Sequence, residues 1–245
     1  MRLAIYGSDE RVQALKELAA AKDYILTDVR PDAVVLPLPR ARFGDVKRNL
    51  CEGQLVIAGG MDEALQLAAK EGKWRVYSVM EDELFQRENA LFTAEGSIWK
   101  LMEKRRKAIC NSRCLIVGFG RIGKALQKIL LAMGADVIVA ARRKESREAA
   151  GPGSIAMGEM QEIIGKMDVI FNTVPCPVIS EESMKMISPN AVVMELASPP
   201  YGMDMGLARA MDIQVMIEGG LPARYCPRDA AGAWLRCVER SVGAK

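Results

Sequence analysis

Short runs rich in Val, Ile and Leu alternate along this chain with longer stretches whose apolar residues recur at helical spacing. Strands covered by helices on both faces read as continuous apolar runs, so the alternation predicts α/β architecture built on parallel sheets. In the first third, strands are expected at Leu3–Tyr6, Tyr24–Leu26, Ala33–Leu36, Leu55–Ile57 and Val76–Val79. Between them, Val12, Leu15, Leu18 and Ala19 mark one amphipathic helix and Ala64, Leu65, Ala68 and Ala69 another. Pro37, Pro39 and Gly59-Gly60 break the chain just after strands, on the side of an open sheet where ligands bind.

A helix is expected from Thr93 to Lys107, its basic end suited to the negative pole. After it the alternation restarts, with strands expected at Cys114–Val117, Val137–Ala140, Val169–Asn172, Val192–Leu196 and Val215–Ile217. A last helix, Arg228–Val242, presents Ala231, Trp234, Leu235 and Val238 on one face. The expected fold is therefore α/β with two parallel-sheet Rossmann-like domains, linked by crossing helices and enclosing a cleft. Residues 1–92 with the terminal helix 227–245 make a flavodoxin-like substrate domain, 93–112 the crossing helix, and 113–226 the dinucleotide-binding domain.

Composition narrows the chemistry. The chain of 245 residues has a net charge of only +3, with its basic residues spread out, so neither nucleic acid nor a membrane surface is an expected partner. The N-terminus turns polar within ten residues and no apolar run approaches a membrane span, so a cytoplasmic location is expected. Six cysteines without a CxxC pair read as reduced, mostly packed thiols. Histidine is absent, which excludes Ser-His and Cys-His nucleophile pairs, HExxH zinc chemistry and a histidine acid/base.

The strongest local motif is Gly118-Phe119-Gly120-Arg121-Ile122-Gly123, placed after an apolar strand and opening an apolar-periodic helix. Gly118 permits the tight turn, Gly120 lets the backbone approach a pyrophosphate, and Gly123 lets helix and strand pack closely. The next strand ends in Ala140-Ala141-Arg142-Arg143-Lys144, with no carboxylate before Glu145 to accept from a ribose 2′-OH. Guanidiniums there suit a 2′-phosphate, so NADP is the expected cofactor, with NAD left open. Thr173, Val174 and Pro175 close one later strand, and Ala197-Ser198 follow another, at the same sheet edge.

Five segments in order resemble the family of dipicolinate synthase A subunits: Ile5-Tyr6-Gly7-Ser8-Asp9, Thr93-Ala94-Glu95-Gly96, the glycine fingerprint, Asn172-Thr173-Val174-Pro175, and Gly220-Leu221-Pro222 with Ala230-Ala231-Gly232. The resemblance implies a nicotinamide-dependent enzyme that oxidises a cyclic dihydrodipicolinate to the pyridine dicarboxylate during spore formation, beside a flavoprotein-like B subunit. The chain departs from the family pattern at Phe92, Glu195, Ala223 and Arg228-Asp229. These departures leave open another small cyclic or carboxylic substrate, or a protein that binds NADP without turnover. Oligomeric state is open as well.

A dicarboxylate substrate calls for cations and hydroxyls. Arg224 and Arg228 are the expected carboxylate ligands, and Arg228 stands at the family's Lys position. Ser8, Thr93 and Ser198 are expected hydroxyl donors. With histidine absent, Glu95 is the first candidate proton acceptor and Asp9 the second. No residue set suggests a metal.

Overall fold

The computed structural model describes residues 1–46 and 50–243. The chain divides into two compact units, residues 1–92 with 222–245, and residues 93–221.

In the first unit the elements are β1 (Arg2–Ile5), α1 (Glu10–Ala20), β2 (Ile25–Leu26), β3 (Ala33–Val35), β4 (Arg40–Ala41), β5 (Leu55–Ala58), β6 (Gly60–Met61), α2 (Glu63–Glu71) and β7 (Arg75–Ser78). Five strands pair in parallel in the order β2-β1-β3-β5-β7, and β4 pairs with β6 separately. This is the flavodoxin-like order, with its reversal between β1 and β3. Alternate residues of β1 serve opposite faces: Leu3 and Ile5 pack with Val12, Leu15 and Trp234, while Ala4 packs with Val34, Val56 and Leu65. Aspartates start the helices. Asp9 accepts from the Val12 amide at 2.8 Å and Asp62 from the Leu65 amide at 2.9 Å.

Helix α3 spans Glu83–Arg105 and so passes through the boundary at Phe92. The helix expected to begin at Thr93 thus starts ten residues earlier. Asp82 provides the reason, accepting from the Phe85 amide at 2.9 Å, and no Gly or Pro follows until Gly96. Phe85, Ala90, Ala94, Ile98 and Leu101 are its buried apolar positions. The polar residues from Glu83 to Asn89 obscure this stripe in the sequence.

The second unit runs β8 (Arg113–Val117), α4 (Arg121–Ala132), β9 (Asp136–Ala141), α5 (Lys144–Ala150), β10 (Ser154–Ala156), α6 (Met160–Ile163), β11 (Val169–Asn172), α7 (Glu181–Met186), β12 (Val192–Glu195), α8 (Met205–Ala210) and β13 (Gln214–Ile217). Its six parallel strands follow the order β10-β9-β8-β11-β12-β13. That is the two-half dinucleotide order, reversing between β8 and β11. Register aligns Ala140, Val117, Asn172, Glu195 and Ile217 across the C-terminal edge. The short edge strand β10 was not expected from the sequence, because Ser154–Ala156 is too brief to show a period.

The chain closes with α9 (Leu221–Tyr225) and α10 (Pro227–Gly243), which packs on α1 and brings Trp234 and Val238 into the first core. Arg240 of α10 binds Asp82 through two hydrogen bonds of 2.8 Å, and Tyr77 donates to the same carboxylate at 2.9 Å. Three of the six cysteines expected to be mostly packed, Cys51, Cys110 and Cys176, are instead exposed, because they lie in connections between elements. No helix among the described residues is long and apolar enough to cross a membrane.

Candidate dinucleotide site

Strand β8 ends at Val117 fully buried, and the backbone then turns at Gly118 with φ of +95°. A side chain at Gly118 would strike Thr173 Oγ1 and Val174 Cγ2, both at 2.6 Å. At Gly123 a Cβ would sit 2.2 Å from the Gly118 carbonyl oxygen, so helix α4 approaches the strand as closely as the backbone allows. Gly120 differs: nothing lies within 4 Å of a Cβ built there. That open face, at the N-cap of α4 with no capping side chain and no acidic first-turn residue, is the room a pyrophosphate needs.

A cavity of about 420 Å³ opens at this turn, lined by Gly118, Phe119, Gly120, Ala141, Arg142 and Arg143. It lies where the strand order reverses, and its residues fit a dinucleotide: glycine backbone for the pyrophosphate and guanidiniums beyond β9. Arg142 and Arg143 are exposed. The loop that carries them is braced by Arg147, whose Nη1 donates to the Ala141 and Arg142 carbonyls at 3.1 and 2.9 Å. Lys144 lies outside the cavity lining and pairs with Glu148 at 3.6 Å. Arg121 and Ile122 open α4, and Phe119 lies 5.7 Å from the Lys124 ammonium.

Sequence reasoning missed Ser146, Met157, Cys176 and Val178, which also line this cavity. A local motif cannot show which loop residues a fold brings to one edge. Among the strand-end residues it did find, Val174 lines the cavity, whereas Pro175 and Ala197 do not. The Thr173 hydroxyl turns into the sheet, donating to the Val117 carbonyl at 2.9 Å, and so braces the fingerprint turn.

Behind this edge lies Glu195, fully buried, with no cation of the described residues on its carboxylate. It accepts from Asn172 Nδ2 at 2.7 and 3.0 Å, from the Ala197 amide at 3.0 Å and from the Gly202 amide at 3.0 Å. Asn172 in turn accepts from the Val174 amide at 3.2 Å and donates to its carbonyl at 3.0 Å. One buried carboxylate thereby sets the path of both strand-end loops. Its interior placement became evident only with the register of β11 and β12.

The substrate-side candidates are not gathered in this cavity. In the first unit, Ser8 is exposed in the turn after β1, and Asp9 is committed to the α1 cap. Arg228 is an exposed first-turn residue of α10, 3.9 Å from Glu17, and Arg224 of α9 lies 5.3 Å from the Tyr225 ring. In the second unit, Thr93 is nearly buried, Glu95 is exposed, and Ser198 is exposed beyond β12. Because α3 begins at Glu83, Glu95 lies about three turns inside it and does not serve the helix pole. Among the described residues, no cluster of carboxylates and thiols could hold a metal ion.

Residues 85–200 match the family model described as the NAD binding domain of D-isomer specific 2-hydroxyacid dehydrogenases. The A subunit of dipicolinate synthase of Bacillus subtilis (strain 168) is 26% identical over 179 residues, 71% of this chain. The match spans 60% of that relative's length. In fold, the chain is similar to the A subunit of dipicolinate synthase from Bacillus halodurans, with a TM-score of 0.85 at 20% identity, covering 100% of this chain and 98% of that one. The corresponding chain of the Bacillus subtilis enzyme gives 0.86 at 18% identity, covering 99% and 96%. A transhydrogenase from Sinorhizobium meliloti gives 0.72 at 14% identity, covering 96% and 91%. Fold, fingerprint and family model together support a nicotinamide-dinucleotide-binding domain. The resemblance to the family of dipicolinate synthase A subunits, first visible in five short segments, is shown both in sequence and in fold.

Proposed function

We propose that this chain is an NADP-dependent oxidoreductase that converts a cyclic dihydrodipicolinate to the aromatic pyridine dicarboxylate, working with a second, flavoprotein-like subunit. The single observation that carries the cofactor choice is the β9 terminus, where Arg142 and Arg143 line the cavity and no acid stands before Glu145. An acid there would accept from a ribose 2′-OH, whereas guanidiniums can fork onto a 2′-phosphate. When bound, the nicotinamide supplies a hydride acceptor; the chain's share is binding, orientation and exclusion of water.

The reaction moves one hydride from a ring carbon and releases one proton. Gain of aromaticity drives it, so a weak acceptor suffices, in keeping with a chain that has no histidine. Glu95 is the proposed acceptor: it is exposed, while the Asp9 carboxylate is occupied by the Val12 amide. Arg224 and Arg228 are the proposed carboxylate ligands, with Ser8, Thr93 and Ser198 as hydroxyl donors. The two-component reading follows from the name of the Bacillus subtilis relative, one lettered component of its synthase.

Two measurements test this. NADPH should stabilise the chain more than NADH at equal concentration, approaching ~2.7 kcal/mol at a hundredfold excess over its dissociation constant. The chain with NADP and a dihydrodipicolinate precursor, alone or with its partner, should build pyridine-dicarboxylate absorbance. Equal stabilisation by both dinucleotides overturns the cofactor choice; no product with either overturns the substrate.

A further inference from the structure

The first unit holds a cavity of about 490 Å³, an open notch between α1 and the edge strand β2. Leu3 and Ile5 form its floor, on the face of β1 that packs with Val12 and Leu15. Leu26 is the register partner of Leu3 and extends that floor to the sheet edge, where it is 39% exposed. Three polar side chains line the same cavity: Lys16 of α1, and Thr27 and Asp28 just beyond β2. Its size is within the roughly 300–1,000 Å³ of small-molecule sites, which likewise combine an apolar lining with a few polar groups.

The polar groups define what fits. Lys16 is half-buried, and among the described residues it makes no ion pair and no hydrogen bond. An ammonium drawn partly out of water without an anion is costly, so an acceptor in the cavity would stabilise it. The Thr27 hydroxyl accepts from the Val29 amide at 3.1 Å, which leaves its proton to give. Both groups suit a carboxylate. Asp28 supplies the opposite charge, and its carboxylate has several acceptor positions whatever else it binds. Because Lys16 pairs with no acid, the two charges stand apart in one cavity. A dicarboxylate would set one of its acids against Asp28, and a simple amine would face Lys16. A molecule with one charge of each sign meets neither conflict.

We propose that this notch is a binding site for a zwitterionic amino acid with an aliphatic side chain. Its carboxylate lies at Lys16 and Thr27, its ammonium at Asp28, and its side chain on Leu3, Ile5 and Leu26. The site lies wholly within the first unit and does not depend on the redox reading above.

The test uses the full chain without any dinucleotide. Calorimetry and thermal melts are run with L-leucine, against isocaproate, which lacks the ammonium, and isoamylamine, which lacks the carboxylate. Leucine should raise the melting midpoint saturably. Each singly charged analogue should bind ~10-fold or more weakly, the loss of one charged contact. Glycine, without the aliphatic chain, should bind weakly as well. Lys16→Met keeps the stem and removes the charge. It should leave the ligand-free melt unchanged, because the ammonium has no partner to lose, and weaken leucine ~10-fold or more. Lys16→Glu sets a second acid in the notch and should reverse the preference, so that isoamylamine binds better than leucine. The proposal is overturned if leucine has no effect at tens of millimolar, if any analogue matches it, or if Lys16→Met binds leucine as the parent does. Leucine binding without turnover of any dihydrodipicolinate leaves this site standing, and turnover without leucine binding removes this site alone.

Discussion

Asn172 directs its side-chain amide at both carboxylate oxygens of Glu195, at 2.7 and 3.0 Å, inside the second sheet's C-terminal edge. The same carboxylate takes two backbone amides, so every bond it makes is one it accepts. Glu195→Gln places an NH2 group against at least one of these donors. The expected cost is ~2 kcal/mol, a fall of roughly 4–8 °C in Tm for a chain of this size. Dinucleotide affinity should fall too, because Val174 lines the cavity and hangs on Asn172. An unchanged melt would show that the Glu195 bonds do not shape this edge.

The last two glycines of the fingerprint should respond in opposite ways. Gly123→Ala drives a methyl into the Gly118 carbonyl at 2.2 Å and should lower the Tm of the ligand-free chain. Gly120→Ala meets nothing within 4 Å and has an ordinary φ of −81°, so the ligand-free Tm should hold. Its methyl occupies the space proposed for the pyrophosphate, and dinucleotide binding should weaken ~10-fold or more. Tight binding by Gly120→Ala would move the pyrophosphate elsewhere.

Acid stability should depend on Asp82. Burial alone would raise this carboxyl, but bonds from the Phe85 amide, Arg240 and Tyr77 outweigh it and hold the pKa below its ordinary value. The depressed folded value means that its contribution is complete above the unfolded pKa of ~4. The contribution is lost as pH falls through the folded value. Asp82→Asn should therefore destabilise by ~3 kcal/mol near neutrality, and its melting curve should converge on the parent's in strong acid. Parallel curves at every pH would refute a role for the Asp82 charge.

Thiol labelling should sort the cysteines by burial. Cys51, Cys110 and Cys176 are exposed and should react in the folded chain, while buried Cys114 and Cys237 should react only on unfolding. Burial pushes both buried thiols up to about 12. Raised folded values favour the neutral thiol, so this stability is complete below ~8.5 and lost as the pH rises towards 12. Cys176 lines the candidate dinucleotide cavity, and on the proposed function NADPH should slow its labelling without slowing that of Cys51. Equal slowing at both positions would mean a global rather than a local effect.

The apolar runs were enough to determine parallel α/β architecture, and the placed Gly118–Gly123 motif with its paired arginines was enough to propose a nucleotide turn. Both are local properties: strand burial, helix period and backbone clearance are written over a few neighbouring residues. The start of α3 was hidden because a long polar-flanked helix carries a thin apolar stripe, and its cap at Asp82 is fixed jointly by Tyr77 and Arg240, the latter distant in sequence. Glu195 was equally hidden, beside its neighbour only through strand register. Whether a charged residue faces water or an interior partner depends on chain segments far along the sequence, and only the tertiary structure decides it.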